Sequence, residues 1–298
     1  MAVSPTTANL GNLGVKRRLL TWKLVRSLPI IPLVILAIVL VCGIFGTFFA
    51  PHDPEVPDPL LRLQPPAWQE GGDWSYPLGT DPVGRDILSR LIVGSNVSLI
   101  IAVTVVLIAG GIGTSFALIA GYFRGAADMV ISRLTDAVIS MPFLVIATAA
   151  AGIFERSLVN LILILGLLSW AGYARILRGE VLRVSQLDFV TLARITGVPS
   201  WRILAFHIFP NIANTLVVLV TLQMGTTIIA AASLDFLGLG IPPPRPAWGS
   251  MLAEGRVYIR TAWWVITVPG IAIALTVMAT NMMGDWLRLK LDPKRRGL

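Results

Sequence analysis

The chain has 298 residues, 55% of them hydrophobic and only 13% charged, and its mean hydropathy of +0.77 excludes an ordinary soluble domain in favour of a polytopic membrane protein. A net charge of +8 in a soluble chain would suggest nucleic acid, but here the basic residues are sorted between loops in a way that a bilayer explains. The single cysteine, Cys42, lies inside an apolar run, which excludes a disulfide framework and a cysteine metal cluster.

Residues 1–28 are polar and basic. The apolar run 29–50 follows; it is too long for a signal-peptide core and no small-residue cleavage site succeeds it, so it reads as the first span. It holds 14 Leu, Ile, Val or Phe residues, which favour insertion by roughly several kcal/mol. Residues 51–94 form a long polar loop rich in Pro, Gly, Trp and acidic side chains. Asp81 followed by Pro82 is an N-cap and N1 pair and predicts a helix along the membrane surface that runs into a second span over about 97–121. On that span Ala109, Gly113, Ala117 and Gly121 recur every four residues and allow close helix approach, within the chain or against a partner.

Residues 122–136 read as a short charged loop. Spans three and four fall at about 137–154 and 158–173, with Met141-Pro142 bending the third near its start. A basic segment, about 175–207, precedes a fifth span over 212–233. The stretch LDFLGLGIPPPRPAWGSML is too rich in Pro and Gly to be helical. The last span covers 262–286, with a kink expected at Pro269-Gly270, and residues 288–298 form a basic tail. The fold class is therefore all-α integral membrane with six transmembrane helices, five of them in a domain over 95–287.

Six spans put both termini on one side. The loops on that side carry 17 Lys and Arg, the opposite loops 7. By the positive-inside rule both termini and the 175–207 segment are cytoplasmic, and the acidic loop after the first span is external.

Six spans suggest transport, and uphill transport needs an energy source. No GxxxxGK[ST] run exists among the four lysines, so the chain cannot hold ATP in a P-loop. Ion-coupled carriers place charged groups mid-membrane, yet here the spans are almost free of charge, and Asp136, Asp235 and Asp285 sit near span ends. Energy must then come through another polypeptide. An ion-coupled secondary carrier and a membrane scaffold remain the alternatives.

The stretch DFVTLARITGVPSWRILAFHIFPN, Asp188 to Asn211, is the place for that contact. It reads as two short helices. Ser185 N-caps the first, with Asp188 three residues on; Gly197 takes the C′ position; Pro199 blocks continuation and Ser200 caps the second. Phe189, Leu192, Ala193 and Thr196 share one face and need a surface to bury against.

This loop resembles the cytoplasmic loop of ABC importer permeases, which reads Glu-Ala-Ala, three residues, Gly, then nine residues before Ile-x-Leu-Pro. Thr191-Leu192-Ala193, Gly197 and Pro210 stand at that spacing; Thr191, Leu192, His207 and Phe209 depart from it. Together with LLRLQPPAWQEGG, LGTDPVGRDILSRL, the Pro-rich stretch, AWWVITVPG and NMMGDWLRLKLDP, the loop makes residues 29–293 similar to the C-type permease of dipeptide, oligopeptide and nickel importers, nearest the dipeptide branch.

The resemblance implies a type I ABC importer permease fold in a bacterial inner membrane. It implies a B-type permease partner sharing the path, two ATPase subunits holding ATP and Mg, and an external substrate-binding protein. The chain itself carries no cofactor, is not an enzyme and binds no nucleic acid. The loop 185–210 would couple to an ATPase, with Asp188, Phe189, Thr191, Leu192, Ala193, Arg194, Gly197 and Trp201 at the docking surface and Arg202 beside them. Thr191 in place of Glu removes an expected ion pair but not apolar docking. Asn160, Gln223, Met224 and Thr227 are candidates for the translocation path, each equally readable as core, and residues 238–248 for a cover over the outer mouth. Substrates of such importers include dipeptides, longer peptides, glutathione, haem and nickel chelates.

Overall fold

The computed structural model describes residues 29–291, so the basic N-terminal segment and the last residues of the tail lie outside the described region. Helices dominate it: α1 Ile30–Phe49, α2 Ile87–Phe123, α3 Gly125–Ser140, α4 Phe143–Ile153, α5 Leu158–Val184, α6 Asp188–Ile195, α7 Ser200–Phe236, α8 Trp248–Gly255 and α9 Trp264–Leu291. Among the described residues the only β pairing is one bridge between Thr80 and Asp86. Five of the helices, α1, α2, α5, α7 and α9, are long and apolar enough to cross a membrane, and α3 with α4 makes a sixth if that pair is one broken span, bent by 86°.

The bend falls at Met141-Pro142, where the ring of Pro142 forbids continuation. The segment before it is not a loop, however. Residues 125–140 are an amphipathic helix, whose Asp128 is gripped by Arg178 of α5 at 2.7 Å. Charge density suggested a loop; the segment is instead a helix, and its acid is paired with a base on a distant helix. The long helices also overrun their apolar cores. α5 continues to Val184 through a stretch read as loop.

The second correction concerns the start of α2. The helix that runs into the second span begins at Ile87, not at Asp81. Asp81 does not cap a helix: its Oδ1 accepts N–H bonds from Val83 at 2.8 Å and Arg85 at 3.0 Å, closing a tight turn. The N-cap is Asp86, whose carboxylate accepts from the Leu88 N–H at 3.3 Å and the Ser89 N–H at 2.9 Å. From there α2 runs unbroken for 37 residues.

α2 and α5 form the central pair. A Cβ built on Gly113 would lie 2.5 Å from Tyr173 Cβ and 2.6 Å from the Trp170 carbonyl oxygen. Gly113, Ala109, Ala117 and Gly121 are all buried, so the small-residue stripe serves packing inside the chain rather than a partner. α1 leans on the first half of α2 through Gly43 and Gly46, held by the Asn96 side-chain amide, which donates to the Gly43 carbonyl at 2.6 Å. Its outward face, including Ile30, Ile38, Ile44 and Phe48, is exposed and apolar, as lipid contact requires.

Candidate functional site

At one end of the bundle α6 hangs between α5 and α7. Its local structure departs from the sequence reading at both caps. Ser185 terminates α5 and does not cap α6, whose N-cap is Leu187 without a side-chain bond; Ser200 is the first residue of α7, and Pro199 precedes it at the cap position. The C-terminus is as expected: Gly197 has φ +77. The Val198 N–H bonds the Ala193 carbonyl at 3.0 Å and the Gly197 N–H that of Arg194 at 3.2 Å, a complete Schellman closure.

One face of α6 is anchored. Val190 and Ala193 are buried with Val181 and Val184 of α5 and Ile203, Ile208 and Ile212 of α7, while Val198 packs against the same cluster. The α7 side of the cluster includes a π-turn over Ile203–Ile208, and both of its end residues are buried in it. Burying Val190 contributes about 1.5–3 kcal/mol.

The opposite face is bare and apolar: Phe189 is 40% exposed, Leu192 61% and Ile195 76%. Trp201 and Phe206 extend it, edge to face at 6.4 Å, with the Arg202 guanidinium over Trp201 at 5.5 Å. Of the expected docking residues, Asp188, Phe189, Thr191, Leu192 and Trp201 are all exposed, and Arg194 lies over the Tyr122 ring at 5.1 Å. Ala193 is turned inward and cannot belong to that surface. Ile195 and Phe206 were not singled out by sequence; Ile195 stands at i+3 from Leu192, a signal that was there, whereas Phe206 is presented by the π-turn, which leaves no mark in the sequence.

A half-open cavity of about 260 Å³ lies between α4, α5 and α7; its wall is mostly apolar, from Phe143, Leu165 and Ala230, with Ser169, Gln223, Thr226 and Thr227 as its polar members. The structure thus joins two of the four path candidates, Gln223 and Thr227. It separates the others. Met224 packs with the buried cluster of Ile228, Trp248, Met251 and Trp264. Asn160 sits in the first turn of α5, where its side-chain amide donates to the Glu155 carbonyl at 2.8 Å, a helix-start contact.

The end opposite α6 is closed by a folded segment. Residues 238–247 arch from α7 to α8, and α8 itself is helical despite the surrounding prolines. The Trp248 indole N–H donates to the Leu91 carbonyl at 2.9 Å and that of Trp264 to the Thr80 carbonyl at 3.1 Å. Beneath them Arg90 and Arg85 are shared between Asp81 and Glu254. The LGTDPVGRDILSRL stretch is therefore packed against α8 and the start of α9 and tied there by its own ion network.

A bundle of long apolar helices, five or six of them able to cross a membrane, with a bare apolar helix face at one end and a half-open cavity between α4, α5 and α7, is the build of a polytopic membrane subunit. Residues 113–297 match the family of binding-protein-dependent transport system inner membrane components, and the chain belongs to that family. It is 40% identical over 262 residues to the di/tripeptide transport system permease protein DppC of Pseudomonas aeruginosa, covering 88% of this chain and 86% of that one. It is 42% identical over 265 residues to the dipeptide transport system permease protein DppC of Escherichia coli, covering 89% and 88%. To the glutathione transport system permease protein GsiD of Pectobacterium atrosepticum it is 39% identical over 250 residues, covering 84% and 81%.

The chain is accordingly a non-catalytic, multi-pass inner-membrane permease subunit of an ABC importer with the type I permease fold. ATP hydrolysis belongs to separate subunits, and a partner permease and a substrate-binding protein complete the system. The ion-coupled carrier and scaffold alternatives fall with this assignment.

Proposed function

We propose that this chain forms one half of a heterodimeric path for di- and oligopeptides with a B-type permease. Two ATPase subunits dock from the cytoplasm, where both termini lie, and an external binding protein delivers the peptide. The observation that carries the reading is α6, held by its Val190 and Ala193 face and bare along Phe189, Leu192 and Ile195. Roughly 25 cal/mol per Å² favours covering such a face, and a helix so placed transmits movement of whatever covers it into α5 and α7. The exposed Thr191 leaves docking to these apolar groups. Gln223 and Thr227 give the path a hydrogen-bonding wall suited to a peptide backbone, and the arch over 238–247 covers the outer mouth. The peptide reading draws its substrate from the relatives' names. Glutathione, itself a tripeptide, is the second candidate because a glutathione permease is nearly as similar. Purification in mild detergent should recover one different permease and ATPase partners, and the reconstituted complex should take up labelled dipeptide in an ATP-dependent way. Recovery of the chain alone would overturn the reading; preferential uptake of glutathione would change the substrate only.

A further inference from the structure

Beside α6, on the side away from its bare apolar face, lies a cleft of about 650 Å³ between the ends of α2 and α5. Its lining is one-signed. Arg124 and Arg194 contribute two guanidinium groups, and Tyr122, Ser185, Thr191 and Ser200 contribute hydroxyls; no carboxylate lines it. Neither arginine forms an ion pair among the described residues. The nearby acid, Asp128, is already held by Arg178. Ser185 is 5% exposed, and its Oγ is buried with no hydrogen-bond partner.

Arg124 adds a second, independent observation. It occupies φ 54 and ψ −157, immediately before Gly125 at φ +56. That backbone region is essentially reserved for glycine, and a long side chain kept there points to a use for it. Its position gives the use. Arg124 ends a membrane-crossing helix whose last turn is Tyr122 and the exposed Phe123, an aromatic pair of the kind found at the headgroup level. Basic pockets between helices at the cytoplasmic face suit acidic headgroups, and the inner leaflet is negatively charged.

We infer that the Arg124–Arg194 cleft binds a phosphate oxyanion, presented as the headgroup of an anionic phospholipid of the inner leaflet. Arg124 and Arg194 would neutralise the phosphodiester, and the unpartnered Ser185 hydroxyl and that of Ser200, which now accepts from Tyr122, would donate to it. The lipid would thereby bridge α2 to the α6 loop. The inference rests on the cytoplasmic placement of that loop but not on peptide transport.

The test uses the assembled importer in nanodiscs of phosphatidylcholine with added phosphatidylglycerol, released for native mass spectrometry. The wild-type complex should retain phosphatidylglycerol. Arg124→Gln should retain roughly fivefold less, Arg124→Lys should restore most of it, and Arg288→Gln, which removes a charge from α9 near the same end, should behave as wild type. Equal retention by wild type and Arg124→Gln would overturn the inference. So would loss of the ATPase from Arg124→Gln with lipid retention unchanged, which would make the cleft a protein contact. Inorganic phosphate at constant ionic strength should leave the lipid bound; full displacement would assign the cleft to soluble phosphate and overturn the lipid source. Retention is read as mass, so its failure leaves peptide uptake untested and intact, and failure of uptake leaves retention intact.

Discussion

Arg90, buried in the first turn of α2, meets Glu254 of α8 at 2.6 Å across 164 residues of sequence. The same guanidinium reaches Asp81, which is also buried, and Arg85 bridges Asp81 and Glu254 from the other side. Four charges thus tie the segment before α2 to the helix that follows the Pro-rich arch. Pairs this well buried are weak sources of net stability but costly to break, because the remaining partner stays desolvated.

Arg90→Ala should therefore destabilise the end opposite α6 by about 3–5 kcal/mol. Limited proteolysis between residues 51 and 86 should accelerate, and the thermal midpoint in detergent should fall. Glu254→Gln should cost less, since Glu254 is 25% exposed and Arg90 keeps Asp81. A larger loss for Glu254→Gln than for Arg90→Ala would contradict the network as described.

The α2–α5 contact makes a paired test. Gly113→Ala pushes a methyl into Tyr173 and the Trp170 backbone and should cost about 1–3 kcal/mol. Gly111, on the other side of α2, has nothing within 4 Å of a built Cβ. Gly111→Ala should be neutral or stabilise by about 0.5–1 kcal/mol through backbone entropy. Thermal unfolding of both variants in the same detergent decides; equal midpoints would mean that the close approach carries no packing role.

Gly197 has open space around a built Cβ, so only its backbone matters. Gly197→Val places a β-branched residue at positive φ, at roughly 1–2 kcal/mol or more, and should loosen the Schellman closure that orients α6. The expected result is ATP hydrolysis that continues while peptide uptake per ATP falls. Gly197→Asn, which tolerates the left-handed region, should remain close to wild type. Unchanged coupling in Gly197→Val would remove this role.

The two faces of α6 should respond oppositely. Leu192→Asp alters an exposed site and should change stability by less than about 0.5 kcal/mol, yet ATPase co-purification should drop sharply. Val190→Asp buries a carboxylate in the α5–α7 cluster and should destabilise the loop itself. If Leu192→Asp retains its ATPase at wild-type levels, the bare face is not where the ATPase docks.

Hydrophobic length and charge asymmetry were enough to read a polytopic helical membrane protein, because a bilayer demands long apolar helices and sorts basic residues between loops. The absence of a P-loop and of mid-span charge was equally a property of the sequence. So was Gly197 at positive φ, since few other residues accept that conformation, and so was the break at Met141-Pro142. These are local or one-dimensional constraints, and local chemistry decides them.

What lay beyond the sequence depends on partners far along the chain. Asp81 before Pro82 looks like a cap; in the fold it joins an ion network with Arg85, Arg90 and Glu254, and Asp86 starts α2. Residues 122–136 read as a charged loop, yet from Gly125 on they are helical, with Asp128 paired to the distant Arg178. Ala193 shares a helical face with Leu192 on a wheel, yet in the fold Ala193 is buried with the α5–α7 cluster while Ile195 and Phe206 face out. Gln223 and Thr227 meet in one cavity, and Asn160 and Met224 do not, because the crossing of α4, α5 and α7 chooses among polar residues that are indistinguishable by composition. The sequence by itself determined which segments enter the membrane and what chemistry the chain lacks; the tertiary structure alone decided which side chains meet, since ion pairing and burial are set by contacts between residues with no spacing in common.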